Sequence, residues 1–288
     1  MDESQLKAFV AINKHGSFTA AANSLHLTQP AISKRIATLE LQLGSPLFDR
    51  IGRTARLTDT GDKLLPLAEK MLTSFSNLRK TADNMKFEIS GRLSLGTSHH
   101  IGLHRLPPVL RQYTNQYPEV ELALHFVDSE DGVQGVERGL LEMAIITLPA
   151  NTPKSLSATQ VWDDPLALVV GKMHKLARKD SIAVEELAKH EAILPGVNTY
   201  TRVLLEEKLA LTGYKLHIGL STNFLETNKM MASIGLGWTI IPESMLDETV
   251  VKIGIKNIDL RRKLGYVTHN DMTLSNATKA MIDLLDSI

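Results

Sequence analysis

Leu64, Ala68, Met71, Phe75, Leu78, Ala82 and Met85 recur at alternating steps of four and three, and no glycine or proline falls between Leu67 and Ser90. A 3.5-residue apolar period held for three repeats is the pattern two helices need to pack along one another. A helix of that length is far longer than a small domain requires, so it divides the chain into a short segment before it and a long one after it. A long amphipathic helix lying on its own domain would show a related pattern. The strict period and the lack of breakers favour dimerisation.

The segment before it reads as three short helices and a hairpin. Leu6, Phe9, Val10 and Ile12 keep helical spacing until Gly16 stops the run. Ser17 is a good cap for "FTAAANSL". Thr28 caps the next helix, with Pro30 in its first turn, where a missing N–H costs nothing. Leu39, Leu43 and Gly44 end that helix as an apolar face followed by a left-handed cap. A tight connection between the second and third helices makes a helix-turn-helix unit. "PLFDR" and "ARLTD" then flank a turn at Gly52, so the unit is winged, with Arg50, Arg53 and Arg56 on or beside the wing. Thr60 is the expected cap of the long helix.

After "SGRL" at 90–93, a hinge by composition, strands and helices alternate in two runs. "RLSLGTS", "VELALHFV" and "EMAIITL" are strands of the first, with helices at "HRLPPVLRQYTNQY" and "VQGVERGLL". "PLALVVG", "EAILPG", "LHIGLST" and "GWTIIP" are strands of the second, with helices at "AVEELAKH", "TRVLLEEKLALTG" and "TNKMMASIGL". Such alternation predicts parallel sheets and two subdomains. "NATKAMIDLLDSI" is a closing amphipathic helix.

Composition narrows the function classes. There are no cysteines, which excludes disulfides, thiolate metal ligands and thiol redox sensing. The longest apolar runs, such as "LALVV", are far too short to span a membrane. No charged segment followed by an apolar one opens the chain, so no secretory leader is expected and a cytoplasmic location is the simplest reading. The 32 Lys and Arg balance 32 Asp and Glu, but residues 1–90 carry 12 basic against 9 acidic side chains. That mild asymmetry is weak support for a nucleic-acid partner. No nucleophile–His–acid set or phosphate-binding glycine loop appears, "HIGLHRL" being the nearest candidate, so no catalytic activity is expected.

These residues resemble the LysR-type transcriptional regulators across essentially the full chain. The densest resemblance is "LKAFVAINKHGSFTAAANSLHLTQPAISKRIATLELQLGSPLFDRIGRTARLTDTG"; looser stretches are "LPPVLRQYTNQYPEVEL", "GLLEMAII", "LALVVGKMHKL" and "GLGWTIIPESM". The resemblance implies an α+β multidomain chain. Its parts would be a winged helix-turn-helix over 1–60, a linker and dimerisation helix over 61–89, and a periplasmic-binding-protein-like effector domain of two α/β subdomains over 90–288. Subdomain I would take about 91–161 plus 267–288, and subdomain II about 162–266. It also implies a homotetramer built as a dimer of dimers on double-stranded promoter DNA, with RNA polymerase as a further partner. Glu142, Lys175 and the "SHH" at 98–100 depart from the family pattern.

A recognition helix presents its first turns to base edges while flanking groups hold phosphates. Gln29 suits adenine, Pro30 can touch a thymine methyl, and Ser33 lies one turn on. Lys34 and Arg35 can reach a guanine or a phosphate. Thr28, Ser17 and Thr19 suit phosphate contacts beside helix N-termini; Arg50 and Arg53 stand on the wing, and Arg53 at its tip suits a narrow minor groove. The polar face of a core helix would look similar in isolation.

Ligands of two-lobed α/β domains sit between the lobes at strand ends. Ser98, His99, Thr147, Asn198, Thr199, Tyr200, Arg202, Thr222 and Asn223 are the candidates. Hydroxyls, amides and free helix N–H groups suit a carboxylate or other small anion, although Ser, Thr and Asn also favour ordinary caps and turns. No cofactor is expected besides this effector. His100 and His104 are four apart, but no carboxylate or Cys in the local stretch completes a metal site, so none is expected. A constitutive DNA binder with an empty cleft is the remaining alternative.

Overall fold

The computed structural model describes residues 1–51, 54–85, 88–210, 213–256 and 258–288; the side chains of Arg50 and Ile51 lie outside that description, as does the whole of Arg53. The chain forms two compact units, Met1–Phe87 with Met272–Ser275, and Glu88–Asp271 with Asn276–Ile288.

The first unit holds α1 (Glu3–His15), α2 (Phe18–Ser24), α3 (Gln29–Leu43), the hairpin β1 (Phe48–Ile51) and β2 (Thr54–Leu57), and α4 (Asp59–Asn84). Local chemistry sets each boundary. Asp2 and Gln5 form a reciprocal capping box at the start of α1. Gly16 and Gly44, at φ 68° and 70°, close α1 and α3 in the left-handed region. Phe9, Ile12, Ile32, Ile36, Leu39 and Leu47 form the centre of the core. The cap of α4 is Thr58 rather than the expected Thr60. Its Oγ1 accepts from Gly61 N at 3.0 Å and donates to Pro46 O at 2.8 Å, tying the helix start to the hairpin.

The expected seam of α4 divides in two. Ala68 is buried in the core of this unit, and Leu64 and Phe75 pack against it together with Leu65 and Leu72. Those three seam positions therefore pack within the chain, Ala68 fully and Leu64 and Phe75 in part. Met71, Leu78, Ala82 and Met85 stay exposed, and so does Leu67, outside the expected seam and 57% accessible.

The second unit runs β3 (Gly91–Thr97), α5 (His99–His104), α6 (Leu106–Gln116), β4 (Val120–Phe126), α7 (Ser129–Glu137), β5 (Met143–Thr147), β6 (Leu156–Gly171), β7 (Ser181–Ile182), α8 (Val184–Leu187), β8 (Glu191–Leu194), α9 (Tyr200–Ala210), β9 (His217–Ser221), α10 (Leu225–Ser233), β10 (Trp238–Pro242), β11 (Val250–Ile255), β12 (Arg261–His269) and α11 (Asn276–Asp286). The strand order is β4-β3-β5-β12-β6-β10-β8-β9, with β11 on β6 and β7. Pro107 and Pro108 lie in the first turn of α6, which splits the expected single helix at Arg105.

Two lobes arise because β6 is shared between them. Leu156–Pro165 pair with β12, and Leu166–Val170 pair with β10. The chain returns at Leu260, whose carbonyl accepts from Leu166 N at 2.8 Å, and Arg261 then pairs with Pro165. All of β12 therefore pairs within the first lobe, and the return lies several residues before the expected boundary at 266. The first lobe buries Leu93, Leu95, Tyr113, Ile145 and Met281 on one sheet face, with Val133, Val136 and Ile146 on the other. The second buries Leu168, Leu194, Leu205, Trp238 and Ile240, with Val169, Leu225 and Ile241 opposite. β3, β4 and β5 are parallel, as are β8, β9 and β10, but β6 and β12 run antiparallel to their neighbours. The all-parallel expectation is corrected by these two antiparallel strands. Among the described residues no helix is long and apolar enough to cross a membrane.

Candidate functional site

In the first unit the exposed start of α3 follows a turn in which His26 takes a left-handed φ of 53°. Thr28, Gln29, Pro30 and Lys34 are exposed, while Ser33 and Arg35 are half-buried. Gln29 Nε2 donates to Ser33 Oγ at 3.1 Å. An amide nitrogen has two protons, so this bond holds the Gln29 side chain yet leaves one N–H and Oε1 to face outward. Those are the two groups a bidentate contact with adenine requires. Ser17 caps α2 by accepting from Ala20 N at 3.1 Å, and Thr19 is exposed in the first turn of that helix. Thr28 makes no side-chain cap bond. The contacts expected of Arg50 and Arg53 lie outside the described residues, and Arg56 is exposed on β2 opposite Asp49.

In the second unit a cavity of about 390 Å³ opens between the lobes, a size at the lower end of small-molecule sites. Ser98, His99, Thr147, Thr199, Tyr200 and Asn223, six of the nine residues expected there, line it. Ser98 and His99 stand where β3 passes into α5, Thr147 ends β5, and Thr199 and Tyr200 begin α9, so strand ends and a helix start converge as the fold requires.

The other three residues do not line it. Asn198 is exposed outside the cavity. Arg202 is turned away and largely buried, its Nε 2.7 Å from Glu206 Oε1 and its Nη1 3.2 Å from Pro195 O. Thr222 serves the loop, its carbonyl accepting from Asn228 Nδ2 at 3.0 Å. Local spacing placed all three near the cleft, but internal hydrogen bonds hold Arg202 and Thr222 elsewhere.

The cavity's charged groups were missed from sequence. Asp128, Glu130 and Asp131 form one wall, and Arg262 reaches it from β12. Asn223 Nδ2 donates to Asp128 Oδ2 at 2.5 Å, and Tyr200 N to Glu130 Oε1 at 2.5 Å, so each acid bridges the lobes. Burial raises the Glu130 carboxyl above its ordinary value, partly opposed by that backbone hydrogen bond. Arg262 is only 7% exposed; its Nε donates to Asp164 Oδ2 at 2.7 Å and its Nη1 to Thr201 Oγ1 at 2.8 Å. Its Nη2 has no partner among the described residues. Arg105 Nη2 also reaches Asp164, at 3.3 Å, so two guanidiniums share one carboxylate and the group keeps a net positive charge. The acidic stretch "VDSED" follows a strand end and could have been found by the strand-end rule. The pairing of Asp164 with Arg262 has no local signature.

His100 also lines the cavity; it is buried and held neutral, its pKa pushed down to about 3 by burial first and by the Arg262 charge second.

The family description "Bacterial regulatory helix-turn-helix protein, lysR family" matches residues 4–62, and "LysR substrate binding domain" matches 88–287. A probable RuBisCO transcriptional regulator of Synechocystis sp. is 32% identical, over 96% of this chain and 84% of the relative. Among solved structures, a full-length OxyR variant from Pseudomonas aeruginosa superposes with a TM-score of 0.72 at 23% identity, covering 99% of this chain and 94% of that one. Full-length CbnR complexed with its target DNA superposes at 0.63 and 18% identity, covering 100% and 99%.

Proposed function

Because the chain belongs to the LysR family of transcriptional regulators, with a helix-turn-helix DNA-binding domain and an effector-binding domain, we propose that it answers to a small hydroxylated or amino carboxylate bound between its lobes. Arg262 carries this reading. A buried guanidinium with an unpartnered Nη2 at a cavity wall is a costly arrangement unless an anion completes it. His99 and Thr199 add hydrogen-bonding groups for the same anion. The opposite wall of Asp128, Glu130 and Asp131 suits a ligand that also donates, through hydroxyl or ammonium.

The ligand acts by population shift. It binds both lobes, favours their closed arrangement, and so alters the geometry of a DNA-bound oligomer and the access of RNA polymerase. α3 reads the major groove through Gln29, Pro30 and Ser33, with Lys34 and Arg35 at base or phosphate. Ser17, Thr19 and Thr28 hold phosphates, and the wing arginines Arg50 and Arg53 reach the backbone and the minor groove. The exposed side of α4, Leu67, Met71, Leu78, Ala82 and Met85, meets a second copy. The protein acts in the cytoplasm on promoter DNA and catalyses no reaction.

Thermal denaturation of the full-length protein against a panel of small hydroxy- and amino-carboxylates tests the effector. A true ligand raises the melting temperature progressively, with the logarithm of its concentration once that exceeds Kd. The same ligand should lose at least tenfold in affinity on Arg262→Met. An uncharged analogue that stabilises equally well, or a ligand indifferent to Arg262→Met, overturns the reading.

A further inference from the structure

On the α5 side of the lobe junction stands a group of polar side chains that the effector reading does not use. His100 and His104 lie four apart on α5, so both project from one face of the helix, with ring centroids 4.8 Å apart. Glu226, in the first turn of α10 on the other lobe, brings Oε1 to 3.1 Å from His104 Nε2. One ligand atom from each of His100, His104 and Glu226 lies within 4.8 Å of the others. The carboxylate that the local sequence lacks thus arrives from 122 residues away.

Most buried histidines are satisfied core residues, each ring nitrogen bonded to a backbone or side-chain group. His100 is not. It is 5% exposed, and neither Nδ1 nor Nε2 has a partner among the described residues. Glu226 Oε2 is likewise buried without a hydrogen bond. A buried imidazole without a hydrogen bond, with one ligand atom within 4.8 Å of those of His104 and Glu226, marks a position that a ligand would complete.

The geometry points to a divalent transition-metal site, ligated by His100, His104 and Glu226, that staples the two lobes. Two imidazoles and one carboxylate form a borderline donor set that suits Zn²⁺, Ni²⁺ or Co²⁺ over Mg²⁺ and Ca²⁺. Metal–ligand distances of about 2.0–2.2 Å require the three groups to draw in by small side-chain rotations, which His104 and Glu226, both partly exposed, can make. Nδ1 of His99, a residue of the effector cavity, lies 3.5 Å from Glu226 Oε2 and only neighbours the set. The charge of Arg262 and Arg105 nearby is partly cancelled by Asp164 between them. Two ligands belong to one lobe and the third to the other, so metal occupancy favours the same closed arrangement as an effector. The metal site stands independently of the effector's identity.

The test is titration of chelator-stripped full-length protein with ZnCl₂ and NiCl₂ by calorimetry, and with CoCl₂ followed by its visible absorption. One ion per chain is expected. His104→Ala and Glu226→Gln, whose side chains are partly exposed, should each weaken binding at least tenfold while the protein still melts cooperatively. His99→Ala should weaken it less. Absence of stoichiometric binding overturns the proposal, as does binding unchanged in both variants. The latter would place the ion elsewhere, such as at the His174–His190 ring pair.

Discussion

Arg262 and Asp164 face each other in register on β12 and β6, beside the point where β6 leaves the first lobe, with Nε 2.7 Å from Oδ2 and both side chains almost wholly buried. The pair is placed next to the passage of the chain from one lobe to the other. It has two further connections, from Asp164 to Arg105 beyond α5 and from Arg262 to Thr201 on α9. One ion pair therefore joins the lobe junction, a helix of the second lobe and the wall of the cavity.

The pair is asymmetric, and this gives a stability prediction. Asp164→Ala leaves the buried Arg262 and the half-buried Arg105 without this counter-charge, whereas Arg262→Ala leaves Asp164 still bonded to Arg105. The first substitution should cost about 3–5 kcal/mol, and the second clearly less. Urea denaturation of both variants checks the order. Equal losses would show that Arg105 does not share the carboxylate.

Glu130 sets a pH dependence. Burial raises its carboxyl above the ordinary value, so protonation favours the folded state. The contribution of Glu130 to stability improves as pH falls from neutral through the raised value, and worsens as pH rises through it. Glu130→Gln keeps an acceptor for Tyr200 N–H without the charge. Its melting temperature should exceed the parent's at neutral pH, and the two should converge in acid. A parallel offset at every pH would rule out the carboxyl's ionisation as the cause.

For DNA reading, Gln29→Ala should cost about 1–3 kcal/mol on the cognate operator and relax preference at one base pair. Ser33→Ala removes the hydroxyl that steadies Gln29 and should show a smaller loss of the same kind. Affinities on cognate and scrambled duplexes at one salt concentration decide this. An equal loss on both duplexes would mean Gln29 only holds the backbone.

The divided seam of α4 separates assembly from folding. Leu78, 70% exposed, should tolerate Leu78→Glu with little change in the melting of its own unit while the dimer weakens by tenfold or more. Ala68→Glu, in the core, should destabilise the fold itself. Sedimentation velocity across a concentration series, read beside thermal melts, distinguishes the two. A fully dimeric Leu78→Glu protein would place the interface elsewhere.

The parts legible from sequence are those written in neighbouring residues. Gly16, Gly44, Ser17 and Thr28 mark the ends of α1, α2 and α3 because caps and left-handed glycines act within one turn. "TDT" offers two caps, and only the contact of Thr58 with Pro46 chooses between them. The period of α4 was visible, yet Leu64 and Phe75 face the core while Leu67 does not. A helical period says that a stripe exists, and tertiary packing decides which side of it is covered. The cleft divides in the same way. Ser98, Thr147 and Tyr200 follow from strand and helix ends, whereas Arg262 and Glu226 reach their places only after two long crossings bring distant residues together.

Those crossings have a consequence for how the chain can be cut and rejoined. The second lobe leaves the first at Pro165 and returns at Arg261, and these two residues are direct partners across a pair of antiparallel strands. In the order of the gene the second lobe is therefore a parenthesis, one uninterrupted insertion whose brackets already touch. A two-residue turn would be enough to close the strands without it. By the same token, a lobe taken from another chain with matching ends could be spliced in whole, exchanging half of the cavity while leaving every residue of the first lobe in its native sequence.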